Sequence, residues 1–174
     1  MNRNEILAKL SRRFRIYECL INPSWKEVGL ANILLARERP DGNNILFAAY
    51  LVDIFCLGLK DTFWNPNISR KTYEEELKPS IYGEEPIECD ISLAHQIIYG
   101  AIEYASKIGF KPHKNFRITK YILGRKKEET EIKIEFGKNG RPFYISGPND
   151  NVEEILAKLR KNVGEGDFDY LIMG

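Results

Sequence analysis

Residues 45–57 (ILFAAYLVDIFCL) carry a single charge, Asp53, among thirteen positions. A segment that is apolar at consecutive positions is buried on both faces when extended. It therefore predicts a central strand covered on each side. It is too short and too interrupted to cross a bilayer. Residues 27–39 (EVGLANILLARER) form a second β-rich run, and Pro-Asp-Gly-Asn-Asn separates the two. That arrangement predicts a β-hairpin with a slightly extended loop. Its first strand ends in Arg37, Glu38 and Arg39, read as a solvated tip.

Around this hairpin the periodicity changes. Ile6, Leu7, Leu10, Phe14, Tyr17 and Ile21 recur at helical spacing, which predicts an amphipathic helix from residue 4 to about 20 whose last turn also suits an extended chain. Asn22-Pro23-Ser24-Trp25 breaks it. Residues 61–90 read as an irregular connection with seven acids between Glu74 and Asp90 and a short helix near 73–77. Asp90 or Ser92 then caps a helix whose apolar stripe is Leu93, Ile97, Gly100, Ala101, Tyr104 and Ile108, and Gly109 stops it. Asn115 and Gly124 bracket a short helix, although FRITKYIL also suits a strand. Residues 129–147 alternate Thr130, Ile132, Ile134 and Phe136 with charged residues, and KNGR supplies a turn, so a second hairpin is expected. Asp150 or Asn151 begins a last helix, and the tail ends in a short strand. The chain is thus expected to be one α+β domain over residues 1–174, with an antiparallel or mixed sheet built from two hairpins and three main helices packed on it.

Hydrophobic residues at 43% and charged residues at 29% are globular values, and a formal charge of +1 gives no global pull toward polyanions or membranes. The first residues, MNRNEILAKLSRRF, have no signal-peptide apolar region, so a soluble, cytoplasmic chain without a membrane partner is expected. Cys19, Cys56 and Cys89 form no CxxC pair and are odd in number. Buried thiols, not a disulfide framework, are the expectation.

A buried carboxylate is costly unless bonded, so Asp53 requires a partner. Asp53, Cys56, Lys60 and Asp61 form the densest polar group in the chain, with Gly58 read as the end of the strand. His95 shares a helical stripe with Tyr99 and Glu103. These are the candidates for catalysis: Asp53, Cys56, Lys60, Asp61 and His95. Assembled in a cleft around Asp53, Lys60 and His95, they would suit a small intracellular hydrolase or a metal-dependent nuclease. Glu131-Ile132-Lys133 supplies the Glu-x-Lys of such a nuclease, but on the polar face of its strand, where alternating charges are ordinarily solvated. No metal-ligand spacing or phosphate loop is present, and no cofactor is expected.

The stronger binding signal is charge. Residues 107–127 hold eight Lys or Arg, His113, Phe116 and Tyr121, and no acid. Lys111, Lys114, Arg117, Lys120, Arg125, Lys126 and Lys127 are the candidate contacts, since basic side chains interleaved with aromatics meet phosphates and stack bases. Lys9, Arg12, Arg13 and Arg15 add a second basic segment. If the two are adjacent, an accessory or binding domain for nucleic acid or an anionic protein surface results. If the acidic stretch 74–90 covers them, the charge is only local balance.

Overall fold

The computed structural model describes residues 1–126 and 132–174. The protein is α+β, centred on a five-stranded antiparallel sheet in the order β4-β3-β2-β1-β5. Its strands are β1 (Ile16–Ile21), β2 (Leu30–Glu38), β3 (Asn44–Asp53), β4 (Gly58–Ser69) and β5 (Ile87–Glu88). Helix α1 (Arg3–Ser11) precedes the sheet and α2 (Trp25–Val28) links β1 to β2. A continuous helical segment follows β4: α3 (Arg70–Thr72), a π-helical turn (Tyr73–Leu77) and α4 (Lys78–Ile81). Helices α5 (Ile91–Lys107), α6 (Phe116–Leu123) and α7 (Val152–Asn162) come later, and β6 (Phe143–Ile145) pairs in parallel with β7 (Asp169–Leu171).

The expected first hairpin is present. β2 and β3 pair in unbroken register from Leu30↔Asp53 to Glu38↔Ile45. β3 lies between β2 and β4, and its side chains divide by the period of two. Leu46, Ala48, Tyr50 and Val52 join the core under α5 and α6, whereas Ile45, Phe47 and Ala49 meet Tyr73, Leu77, Ile81 and Tyr82 from the 70–82 segment. Both faces of the apolar run are therefore covered, each by a different part of the chain.

Several expectations need correction. The first helix ends at Ser11, and residues 16–21 form β1, because Ile16, Tyr17, Cys19 and Ile21 favour a pleated surface once the helix has stopped. Residues 58–69 are not irregular. They form the edge strand β4, where Pro66 is tolerated because an edge does not need every N–H in the ladder. Residues 70–81 of the connection are helical and serve as the lid on the second sheet face, and residues 87–88 form the edge strand β5. Arg37 is not a solvated tip residue, being only 5% exposed.

Within its described residues, 132–147, the second hairpin is only a turn. Lys138 and Arg141 pair across Asn139 (φ 55°) and Gly140 (φ 78°), the left-handed pair a tight primed turn requires. Residues 132–136 join no strand, and Phe143–Ile145 pairs instead with the C-terminal β7. Phe136 explains the departure: its ring lies against Gly100 of α5, where a Cβ would be 2.3 Å from the ring, and stacks on Tyr104. The run is drawn to a helix surface and away from a strand partner.

Arg37 shows how the first face is locked. Its Nε and Nη2 donate to the Ile122 carbonyl at 3.1 and 2.7 Å, and its Nη1 donates to the Phe14 carbonyl at 3.0 Å. The cation thus joins the chain following α1 to the last turn of α6, where carbonyls carry partial negative charge. Replacing Arg37 with Met leaves those buried carbonyls unsatisfied, and chemical denaturation should read a loss of about 3 kcal/mol. Arg37→Lys should recover only part of it, because an ammonium lacks the planar fork.

Candidate functional site

The basic segments form one surface. Helix α1 packs beside α6, and the ammonium groups of Lys9 and Lys120 stand 4.7 and 5.1 Å from the centroid of the Tyr121 ring. Helix α6 has a strongly sided sequence: Ile118, Thr119, Ile122 and Leu123 are buried, and Arg117 and Lys120 are exposed. Lys111 and Lys114 before it, Arg125 and Lys126 after it, and Arg12, Arg13 and Arg15 after α1 are also exposed. Lys127 lies outside the described residues. Among the described residues none of these cations is in an ion pair.

The acidic segment does not cover them. Tyr73, Leu77 and Ile81 place the 70–81 helix on the other side of the sheet from α6. Three of its charges are met there: Lys78 pairs with Glu18 at 3.0 Å and Glu74 at 2.9 Å, and Arg70 with Glu38 at 3.5 Å. The 70–81 helix, whose three acids are balanced by Arg70, Lys71 and Lys78, thus lies across the sheet from the α1–α6 cations.

The carbonyl end of α6 is bonded by side chains from distant elements. Tyr50 donates to Thr119 O at 2.7 Å, Tyr99 donates to Gly124 O at 2.8 Å, and His95 Nε2 lies 2.7 Å from Leu123 O. His95 is 2% exposed, with its ring edge-on to Tyr99. It therefore sits in the core beneath α6, and no hydrogen bond or cavity among the described residues joins it to Asp53 or Lys60.

Asp53 is bonded by its own turn. Oδ1 accepts from the Phe55 and Cys56 amides at 2.9 and 3.1 Å, and Oδ2 accepts from the Leu57 amide at 2.9 Å. Burial pushes its pKa up; the three amides and the nearby Lys60 charge pull it back only in part. Gly58 begins β4 and does not end β3. With φ 72° it lies so close to α5 that a Cβ would stand 2.8 Å from Ala105 Cβ and 2.9 Å from Ala101 O. Cys56 is fully buried, and burial together with the Asp53 charge pushes its thiol up, which favours the unreactive protonated form. The Cys19 thiol is likewise raised, by its hydrogen bond with Cys89 and by burial.

Lys60 and Asp61 diverge. Lys60 Nζ meets Asp150 Oδ1 at 3.2 Å, and Asp150 Oδ2 also accepts from Tyr144 Oη at 2.8 Å and the Gly147 amide at 2.7 Å. Asp61 is exposed, 3.6 Å from His113 Nε2. Asp53 and Lys60 line a cavity of about 100 Å³ with Phe55, Phe143 and Ser146. That is well below the roughly 300–1,000 Å³ of small-molecule sites. A larger cavity of about 630 Å³ lies beside it, between Trp25, Phe55 and residues 133–139, with Lys133 on its wall. Glu131, the other half of the Glu-x-Lys pair, falls outside the described residues. Among the described residues no group of three or more His, Cys, Asp or Glu is placed to hold a metal ion, and no helix is long and apolar enough to cross a membrane.

Sequence reasoning missed Asp150 as the partner of Lys60, since ninety positions separate them and neither stands in a motif. It also missed Asn2, although Asn2-x-x-Glu5 is a legible capping box, formed here by Asn2 Oδ1 accepting from the Glu5 amide at 2.8 Å. The chain matches no protein-family model, no curated protein and no solved structure.

Two measurements check the acidic corner. In Asp53→Asn the amide nitrogen must face a backbone N–H that the carboxylate accepts. Equilibrium unfolding should show a loss of about 1–3 kcal/mol. Asp150 behaves in the opposite sense to Asp53: burial raises its pKa, but the Gly147 amide, Tyr144 and Lys60 outweigh that and hold it below the ordinary value. Its stabilisation is complete above the unfolded carboxylate pKa near ~3.9 and is lost as pH falls through the depressed folded value. Unfolding curves of Asp150→Asn should therefore be flatter than wild type at the acid end.

Proposed function

We propose that this protein is a nucleic-acid-binding accessory domain whose contact surface is the α1–α6 face. The observation that carries the reading is the juxtaposition of two cationic segments, about a hundred residues apart in sequence, on one side of the sheet, with the 70–81 helix on the other. Unpaired Lys and Arg on such a face bind phosphates by releasing condensed counterions, which needs no cleft and no assembled catalytic group. Tyr121 between Lys9 and Lys120, and the half-buried Phe116, give the face aromatic surface among its charges. The network beneath the carbonyl end of α6 supports the same reading, because it holds the charged helix in a single orientation.

Fluorescence anisotropy with a labelled oligonucleotide tests this. Binding should weaken steeply with salt, and the quadruple variant Lys114→Ala, Arg117→Ala, Arg125→Ala, Lys126→Ala should flatten the log–log salt slope by about one per lost contact. Lys71→Ala, exposed on the helix across the sheet, should leave the curve unchanged. No binding at low salt would overturn the proposal.

A further inference from the structure

Beside the basic face lies a polar notch of about 340 Å³ whose walls come from three elements. Trp64 of β4 forms one side, Asn2 and Asn4 at the start of α1 another, and Asn115 and Arg117 at the start of α6 the third. Trp64 is half-buried against the first-face core, so its ring is held in place and partly open. The preceding strand residue, Phe63, also lines the notch, with its ring edge-on to Phe47. Asn115 donates through Nδ2 to Thr62 O at 3.2 Å, and among the described residues its Oδ1 accepts no bond. Asn4 and Arg117 make no side-chain hydrogen bond or ion pair among the described residues and are exposed.

An immobilised indole, amide groups with unused acceptors and donors, and an unpaired guanidinium are the chemistry of a nucleobase subsite. The indole stacks a base, the amides meet its hydrogen-bonding edge, and Arg117 reaches the adjoining phosphate. The first two require a base that is out of a duplex, because stacking and pairing hide its faces and its Watson–Crick edge. We infer that the notch takes an unpaired base, so that the ligand of the α1–α6 face is single-stranded nucleic acid. This inference rests on the nucleic-acid reading and adds the class of strand.

The experiment compares single-stranded DNA, single-stranded RNA and duplex DNA of one length, at matched salt, on wild-type protein. One stacked base contributes a preference of about 5- to 150-fold, so both single strands should bind at least about fivefold tighter than the duplex. Trp64→Ala should bring single-strand affinity down to the duplex value. Asn4→Asp, at an exposed position where folding is undisturbed, should do the same by placing a carboxylate in the notch. Single strands should also quench the fluorescence that wild type has and Trp64→Phe lacks, a readout that decides the matter if Trp64→Ala does not fold. Equal affinity for single strand and duplex, with no effect of Asn4→Asp and no quenching, would overturn the base subsite while leaving the basic face intact. Absence of binding by all three nucleic acids at low salt would overturn both.

Discussion

The carboxylate of Asp53 holds the turn through which the C-terminal third of the chain is fastened to the main sheet. By accepting three consecutive amides it closes the turn between β3 and β4, and the rest of that turn then serves as an anchor. Ile54 N–H donates to Gly29 O, Ile54 O accepts from Gly137 N–H, and Phe55 O accepts from Phe143 N–H. Cys56 and Leu57 enter a separate apolar cluster with Tyr144, Leu159 and Phe168, which fastens α7 and the β6–β7 pair to the main sheet. An acid in an apolar run is costly in isolation. Here it is the acceptor without which three buried amides would have none, and that explains its place in the sequence.

A second polar network does for the charged surface what Asp53 does for the turn. Helix α6 has eight residues, too few to be stable alone, and the carbonyls of its last turn lack partners within the helix. Arg37 from the sheet and His95 and Tyr99 from α5 approach that end, and Tyr50 reaches Thr119 O one turn earlier. Arg37 and the basic face are thus linked, since the one buried guanidinium positions the helix that carries the exposed ones. The cationic side chains themselves contribute little to folding. Their arrangement is a consequence of where the buried side chains can find acceptors.

The elements legible in the sequence were those with a strong local period or a cap. The β2–β3 hairpin, α5 with Asp90 as its cap, α6 between Asn115 and Gly124, and α7 with Asn151 as its cap all follow from apolar spacing and end signals. Elements whose conformation depends on a distant partner were read wrongly. β4 looks irregular because Asn65, Pro66 and Asn67 signal a turn locally; the register with β3 shifts there, and pairing on both sides, at Asn65↔Phe47 and Ile68↔Ile45, carries the strand through. Residues 132–136 have the alternation of a strand, but Gly100 and Tyr104 offer Phe136 a better surface than any neighbouring strand does. Arg37 reads as solvent-facing because charge usually is, and its acceptors come from residues 14 and 122.

By itself, then, the sequence determined a central apolar strand, the need for a partner for Asp53, and two basic segments flanked by an acidic one. Each follows from composition within a short window, where propensity and hydropathy act. Only the tertiary structure decided that the partner of Asp53 is its own turn, that Lys60 is matched to Asp150, and that the basic segments share a face which the 70–81 helix does not cover. Those outcomes depend on which side of a pleated sheet each segment packs against. That side is set by the alternation of β2 and β3 side chains, and by contacts between residues far apart along the chain.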